Sequence, residues 1–422
     1  MNRYLVVLGA VLIQLCLGAI YAWPVFTPEL VKAPYNFNAK QTQVIFSVGL
    51  ATFAIAMIIA GRLQDQFSPR ALSATGGVVL GLGYVAAGFV GTSFVGHLIT
   101  IGLIGGAGIG LAYAVPIAVG VKWFPDKKGM LTGLAVAGFG FGALIWIMLA
   151  DSWGHLIEHV GLANTFVYYG VAFAAIVLVG SMWMVNPPEG YRPLGYTPSS
   201  DGGAGSSGAI DTSTGEMLRS WQFYALWLMF VAGAMAGLMV IGCIKLFGID
   251  ALMSAEYSEA KASAIAGTAT GVFLAPANCL GRIGWGMISD FIGRKLSLLL
   301  MCVIQGVAML AFYFMGFHPA LLYLGAALIG FNFGGNFALF PAITADFFGS
   351  KRIAANYACI FTAYGVGGII GPVLGGYFKD QGEDAGVGVW TTPLIIAGIA
   401  CLAAAAIALM LKPPRSRAES TV

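Results

Sequence analysis

One basic residue, Arg282, stands inside a long apolar stretch, in the sequence Ala-Pro-Ala-Asn-Cys-Leu-Gly-Arg-Ile-Gly-Trp. It is the one Lys or Arg that we cannot place at the edge of an apolar segment. A cation in the hydrocarbon of a bilayer costs about 2.5–3.5 kcal/mol on insertion scales. A guanidinium binds a carboxylate through two parallel hydrogen bonds, so a carboxylate-bearing ligand would offset this cost. A structural arginine bound to a backbone carbonyl is the alternative.

Asn278 lies one helical turn before Arg282, and therefore on the same face of a helix. Its amide could orient the guanidinium or bond a ligand; an ordinary contact between helices is the alternative. Aromatic residues on other apolar segments could line the same space, although most aromatic residues in such a chain serve packing. The aromatic candidates for binding are Tyr21, Tyr113, Phe139, Phe333, Phe337, Phe361 and Tyr364. Tyr113 and Tyr364 carry hydroxyls that could donate to a carboxylate.

The composition of the 422 residues indicates the class of protein, because 59% are hydrophobic and only 9% are charged. A soluble domain carries about 25% charged residues. This chain cannot cover a globular surface with polar groups, so we predict an integral membrane protein. The six cysteines lie in apolar segments without the spacing of metal ligands, and we expect them to pack as small residues. We expect no cofactor and no metal.

The apolar stretches predict an all-α protein with twelve transmembrane helices. The predicted segments are 4–26, 42–61, 71–94, 97–121, 129–151, 164–185, 220–246, 261–287, 295–316, 319–344, 354–378 and 390–411. The first is expected to be an uncleaved span rather than a signal peptide. Residues 186–219 are polar and rich in Gly and Ser, which is typical of a flexible linker. The linker divides the chain into six-helix bundles at 1–185 and 220–422.

The distribution of Lys and Arg orients these segments. Fifteen of the 21 basic residues fall on the side that holds both termini and the linker, five fall on the other side, and Arg282 is the last. Cytoplasmic loops carry an excess of Lys and Arg, so the termini and the linker are predicted to be cytoplasmic. We therefore expect a multi-pass protein of the cell's inner, cytoplasmic membrane.

The two halves of the chain repeat each other at a constant offset of 225 residues. Asp65 corresponds in this way to Asp290, and Pro116 to Pro341. Two parallel repeats of six spans are the plan of the major facilitator superfamily, which places the substrate site between the halves. The counterpart of Arg282 is Met57, so the scaffold alone does not require a cation there.

A Gly-x-x-x-Asp-x-x-Gly-Arg-Lys pattern runs through 286–295 in the second half, and the first half keeps it only in part. The pattern resembles the cytoplasmic loop motif of that superfamily. A carboxylate at a helix end, near basic residues of the next helix, can latch one conformation. Asp65, Arg70, Asp290 and Arg294 are therefore candidates for gating. A helix terminator with charges that orient the chain is the alternative.

Further stretches resemble the oxalate/formate antiporter family and the related monocarboxylate transporters. They are 21–24, 123–129, 215–219, 336–341 and 356–357, together with 281–294. The resemblance is strongest to bacterial proton-coupled transporters of the lactate type. It implies a carboxylate held by Arg282 inside an aromatic cage of Tyr21, Tyr113, Phe139, Phe333, Phe337 and Phe361.

Three positions depart from these families. Tyr364 replaces a lysine of the oxalate transporter, and Asn278 and Val25 replace an aspartate and a lysine of the animal monocarboxylate transporters. Oxalate carries two charges, and a single Arg would leave one of them unpaired at a cost of several kcal/mol. We therefore predict a monocarboxylate such as lactate, pyruvate or a short-chain acid. Asn278 and Val25 leave the proton-carrying residue open.

The predicted function is secondary active transport of a monocarboxylate by proton symport with alternating access. Its expected partners are the small acid, protons and the lipid bilayer; we expect a monomer that binds no nucleic acid. An oxalate/formate-type antiporter is one alternative, and a transporter-like carboxylate receptor is another. An enzyme is disfavoured, because the predicted spans carry no histidine cluster, Ser/Lys dyad or paired carboxylates at membrane depth.

Overall fold

A computed structural model of the chain describes residues 2–63, 66–124, 128–151, 153–188, 191, 212–349 and 352–414. Every regular element within these ranges is a helix. Eleven helices in the described part of the chain are long and apolar enough to cross a membrane. A twelfth, Lys128–Ala150, contains the shorter apolar stretch Ala137–Ala150. The structure thus confirms the prediction of an all-α membrane protein.

Each predicted segment corresponds to one helix, in the same order. The helices are Arg3–Val25 (α1), Ala39–Leu63 (α2), Pro69–Ala87 (α3), Phe94–Gly120 (α4), Lys128–Ala150 (α5), Leu156–Ser181 (α6), Trp221–Ser254 (α7), Glu259–Ile292 (α8), Arg294–Met315 (α9), Pro319–Phe348 (α10), Ile353–Gln381 (α11) and Thr391–Met410 (α12). The last turn of α4 reaches Trp123. Most ends differ from the prediction by a few residues, because helices continue past the purely apolar stretch.

Three helix ends differ more. The helix α6 begins at Leu156, eight residues before the start of the predicted segment 164–185, and its backbone is non-helical at Gly161. The predicted segment 71–94 ends at Ala87, where Gly88 caps the helix and Gly91, with φ of 59°, turns the chain. The predicted segment 220–246 instead continues to Ser254. Lys245 consequently lies inside α7 and is only 4% exposed.

The expectation that Arg282 alone stands away from a segment edge is therefore wrong. Lys245 Nζ lies 2.8 Å from Asp151 Oδ2, and this ion pair offsets part of the cost of burying the cation. Asp151 and Lys245 are far apart in sequence, so hydropathy along the chain does not reveal the pair.

The sequence repeat has a counterpart in the helix positions. The starts of α3, α4 and α5, at residues 69, 94 and 128, reappear at 294, 319 and 353 as the starts of α9, α10 and α11, which is the same offset of 225. The ends of α4 and α10, Trp123 and Phe348, follow the same rule. Both halves of the chain thus fold their corresponding segments into helices of similar extent.

Helices of the two halves pack directly against each other: α2 lies along α11, and α5 lies along α8. We call the end of the bundle where α1 begins and α12 ends the terminal face, and the opposite end the distal face. On the distal face, the Asp380 carboxylate at the end of α11 accepts the backbone N–H groups of Ala39 (2.7 Å) and Lys40 (2.8 Å) at the start of α2. A helix N-terminus carries partial positive charge, so it favours this carboxylate.

Two ion pairs also join the halves at the distal face. Lys32 Nζ lies 2.8 Å from Glu259 Oε1 at the start of α8, and both side chains are exposed. Lys245 on α7 meets Asp151, the residue after α5. Together with the Asp380 contact, these pairs join the two halves at the distal face.

Candidate functional site

Arg282 lies on α8, is 5% exposed, and stands where α8 meets the other half of the chain. Its guanidinium carbon is 4.0 Å from the centre of the Phe337 ring on α10 and 5.6 Å from that of Phe139 on α5. A cation over an aromatic face gains roughly 0.5–2 kcal/mol, which offsets part of the cost of burial. The side chain is thus held between residues of both halves.

Asn278 orients this guanidinium. Arg282 Nε donates a hydrogen bond of 3.2 Å to Asn278 Oδ1, and Asn278 is 1% exposed. The hydroxyls of Tyr21 and Tyr113 also approach the guanidinium closely enough to interact with it. The cation is thus surrounded by neutral polar groups and aromatic rings.

Close contact between α8 and α10 brings Phe337 over Arg282. A Cβ added to Gly281 would lie 1.9 Å from the backbone oxygen of Phe331 on α10. A Cβ on Gly334 of α10 would lie 2.1 Å from the backbone oxygen of Asn278. Both helices require glycine at this crossing, because any side chain would push them apart.

The predicted aromatic residues pack on one another around the cation. The Tyr21 hydroxyl on α1 lies 2.9 Å from the Tyr364 hydroxyl on α11, so the two halves meet through this hydrogen bond. The Tyr21 ring is edge-on to Phe139 (5.3 Å between centres) and to Phe333 (5.7 Å), and Tyr364 stacks on Phe361 at 4.9 Å. All nine residues predicted to bind substrate thus lie in one cluster.

Phe53 on α2 belongs to the same cluster, although the sequence interpretation missed it. It is 1% exposed. Its ring centre lies 5.1 Å from that of Tyr113, 6.0 Å from Phe139, 5.9 Å from Phe361 and 5.8 Å from Tyr364. The repeat offset of 225 pairs Phe53 with Asn278, and applying it to Asn278 as well as to Arg282 would have identified this residue.

The gating candidates of the second half lie together at the terminal face. An Arg294 terminal nitrogen is 2.6 Å from Asp290 Oδ1, and its Nε is 3.4 Å from Asp346 Oδ2 on α10. Arg294 also donates to the Ser289 hydroxyl. These contacts link α8, α9 and α10 within one half, and Asp346 is a partner that the motif did not reveal.

The first-half candidates are placed differently. Arg70 is an exposed residue in the first turn of α3, which Ser68 caps through its side chain. The corresponding position before α9 is Gly293, which has a φ of 88° and begins its helix without a side-chain cap. Asp65 lies outside the described residues.

The cluster has the chemistry of an anion site. Arg282 supplies one fixed positive charge, the tyrosine hydroxyls supply neutral donors, and the aromatic rings exclude water. Within the described residues, no group of His, Cys, Asp and Glu side chains has the arrangement of a metal site. The arrangement thus offers the positive charge and the hydrogen-bond donors that a small anion would require.

Comparison with known proteins identifies the family. The family model of the Major Facilitator Superfamily matches residues 7–260 and 246–422. The uncharacterized MFS-type transporter YhjX of Escherichia coli (strain K12) is 30% identical over 87% of this chain and 86% of its own. The oxalate:formate antiporter of Oxalobacter formigenes is 26% identical over 99% of this chain and 93% of its own. Monocarboxylate transporter 13 of Rattus norvegicus is 25% identical over 94% of this chain and 86% of its own.

A solved structure shows the same fold. A bacterial homolog of the human lysosomal transporter Spinster, in an inward-facing and unoccupied conformation, matches with a TM-score of 0.65. The match covers 97% of this chain and 96% of that chain at 16% sequence identity. The chain is therefore a member of the major facilitator superfamily and a membrane transporter.

Proposed function

We propose that the protein is a secondary active transporter of monocarboxylates, such as lactate, pyruvate and short-chain acids, and that the substrate carboxylate binds Arg282. The observation that carries this proposal is the position of Arg282, buried between aromatic residues of both halves and oriented by Asn278. A carboxylate bound there would contact both halves. Its binding would therefore respond to their relative position, as transport by alternating access requires.

The number of cations in the cluster favours a monocarboxylate. Tyr364, where the oxalate transporter has a lysine, is fully buried and neutral, with its hydroxyl bonded to that of Tyr21. A dicarboxylate at Arg282 would leave its second charge unpaired in apolar surroundings. The relatives include both an oxalate:formate antiporter and a monocarboxylate transporter, and the single cation is the feature that favours the second.

The proposed mechanism uses two six-helix bundles, 1–185 and 220–422, joined by a linker at 186–219. The excess of Lys and Arg at the terminal face supports a cytoplasmic position for that face. The contacts that join the halves at the distal face correspond to a state closed to the outside. Transport as a monomer would alternate this state with one in which the distal contacts are broken.

We propose proton symport as the energy source. Asn278 cannot carry a proton beside Arg282, so the proton would travel on the acid itself or on a carboxylate elsewhere in the chain. An exchanger of the oxalate/formate type remains the second candidate, which the antiporter relative favours. The two differ in one measurable respect, since only symport is driven by a pH gradient.

The test is uptake of labelled lactate into proteoliposomes with an imposed pH gradient. We expect uptake that rises with the inward proton gradient, and at least a tenfold lower rate for Arg282→Ala, because a charged hydrogen-bond partner is lost. Met57→Ala, at the matching helix position of the other half, is the control and should retain most of the rate.

Three outcomes would oppose this proposal. Normal uptake by Arg282→Ala would remove Arg282 from the site. Uptake that ignores the pH gradient but accelerates with internal oxalate or formate would favour the antiporter. Binding of lactate without any transport would instead favour a receptor.

A further inference from the structure

Lys245 and Asp151 form the ion pair with the least exposed cation among the described residues. The Lys245 side chain is 6% exposed and that of Asp151 is 31% exposed, whereas Lys32 and Glu259 are 58% and 56% exposed. Burial of a lysine is tolerated when its charge is paired. Asp151 follows α5 in the first half and Lys245 lies on α7 in the second, so relative motion of the halves separates the two charges.

The pair lies on the distal side of Arg282. Gly140 of α5 is level with Arg282, since a Cβ there would lie 3.5 Å from Arg282 Nε. At 1.5 Å per residue, Asp151 is about 16 Å further along α5. The helix α7 also packs against the 3-10 segment Gly18–Val25 of α1, which carries Tyr21 of the cage. The helix that carries Lys245 is therefore also in contact with the part of α1 that carries Tyr21.

This distance excludes shared binding of one small acid. The carboxylates of a dicarboxylate such as oxalate are directly bonded, so they cannot bridge two cations that far apart. Lys245 therefore does not supply the second charge that Tyr364 lacks. It lies instead between Arg282 and the distal face.

We propose that Lys245 is a second carboxylate-binding site, which Asp151 occupies in this closed state and the substrate occupies when the distal face opens. The inference rests on the proposed transport of monocarboxylates by alternating access. Opening separates α5 from α7 and leaves Lys245 without the Asp151 carboxylate, which is costly for a cation in an apolar site. A substrate carboxylate entering from outside replaces Asp151, and the return of Asp151 as the face closes releases the substrate towards Arg282.

The test measures the KM for labelled lactate on each side of the membrane, in right-side-out and inside-out vesicles. For Lys245→Met we expect the KM on the distal side to rise about tenfold, because a charge-assisted hydrogen bond is lost, while the KM on the terminal side changes little. Lys245→Arg keeps the cation and should retain the wild-type KM on both sides.

Asp151→Asn distinguishes a substrate-binding role of Lys245 from an ion pair that only holds the two halves together. Asp151 competes with the substrate for Lys245, so its neutralisation should lower the KM on the distal side, opposite to the effect of Lys245→Met. An ion pair that only holds the halves together would shift the KM on the distal side in the same direction in both variants. Lys379→Met is the matched control, since Lys379 and Asp250 pair at 2.6 Å on the same face but within one half; both KM values should stay unchanged.

The inference is overturned if the two variants shift the distal KM in the same direction, or if neither shifts it while the wild type transports lactate through Arg282. In those cases the proposed function stands and Lys245 is only a structural partner. If Lys245→Met does not fold, Lys245→Gln takes its place, and the opposite signs of its effect and of the Asp151→Asn effect decide. A wild type that moves no monocarboxylate would contradict both the function and this inference.

Discussion

At the level of single residues, Tyr364 is the position in the cluster where a neutral side chain stands in place of a possible second cation. It is fully buried, its hydroxyl lies 2.9 Å from that of Tyr21, and its ring lies 5.6 Å from that of Phe337 beside Arg282. Among the described residues, the cluster therefore contains one cation, Arg282, and a neutral pair of hydroxyls beside it. Preference between monoanions and dianions should depend on this one side chain.

Replacing Tyr364 by lysine should shift the preference towards dianions. We expect oxalate to compete with labelled lactate more strongly in Tyr364→Lys than in the wild type, because a second positive charge then pairs with the second carboxylate. Tyr364→Phe removes the hydroxyl without adding charge and should keep the preference for monoanions. Unchanged competition by oxalate in Tyr364→Lys would contradict the role given to charge number.

At the level of helices, the crossing of α8 and α10 determines where Arg282 and Phe337 lie. Gly281 precedes Arg282 and touches the backbone of α10, while Asn278, one turn earlier, touches Gly334. Arg282, which supplies the charge, thus lies next to Gly281, which permits the close packing of α8 against α10. The geometry of the site depends on this approach of two backbones.

A side chain at Gly281 should disrupt the site. In Gly281→Val the new Cβ would meet the Phe331 oxygen, which is 1.9 Å away, so α10 must shift and Phe337 must leave Arg282. We expect loss of lactate uptake with the helical circular dichroism preserved. Gly286→Ala is the control on the same helix, because its Cβ would meet only Ala338 at 3.8 Å. Equal uptake by the two variants would show that this crossing does not determine the site.

At the level of the whole molecule, the contacts between the two halves hold the two helix bundles together. On the distal face they comprise the Asp380 carboxylate at the start of α2 and the pairs Lys32–Glu259 and Asp151–Lys245. At the terminal face, Arg294 bonds Asp290 and Asp346 within one half. Alternating access requires that the distal contacts break in each cycle.

Cross-linking the distal face should therefore stop transport. Lys32→Cys with Glu259→Cys places thiols on exposed positions of opposite halves, and a short bis-maleimide should abolish lactate uptake. The six native cysteines are buried or half-buried, so the unmodified chain should be little affected by the reagent. Lys379→Cys with Asp250→Cys lies within one half, and its cross-link should leave uptake intact. Full uptake after cross-linking of the first pair would contradict alternating access by separation of the halves.

The transmembrane helices and the central cation could be predicted from the sequence, since each depends on local properties. Helix number followed from the length of apolar stretches, because the bilayer forces each spanning segment to satisfy its own backbone hydrogen bonds. Arg282 was identified by the cost of its charge in such a stretch. Phe53 and Asp346 were missed, because their importance comes only from neighbours on other helices.

The sequence by itself thus determined the class of protein, the order of its helices, the repeat and the candidate cation. The tertiary structure decided that the nine predicted residues and Phe53 form one cluster, that α7 continues past Lys245, and that Asp151 neutralises that lysine. Hydropathy and length act within one segment, whereas pairing of charges and rings depends on helix packing between residues far apart in the chain. For this reason Lys245 was predicted at a membrane edge and is found buried.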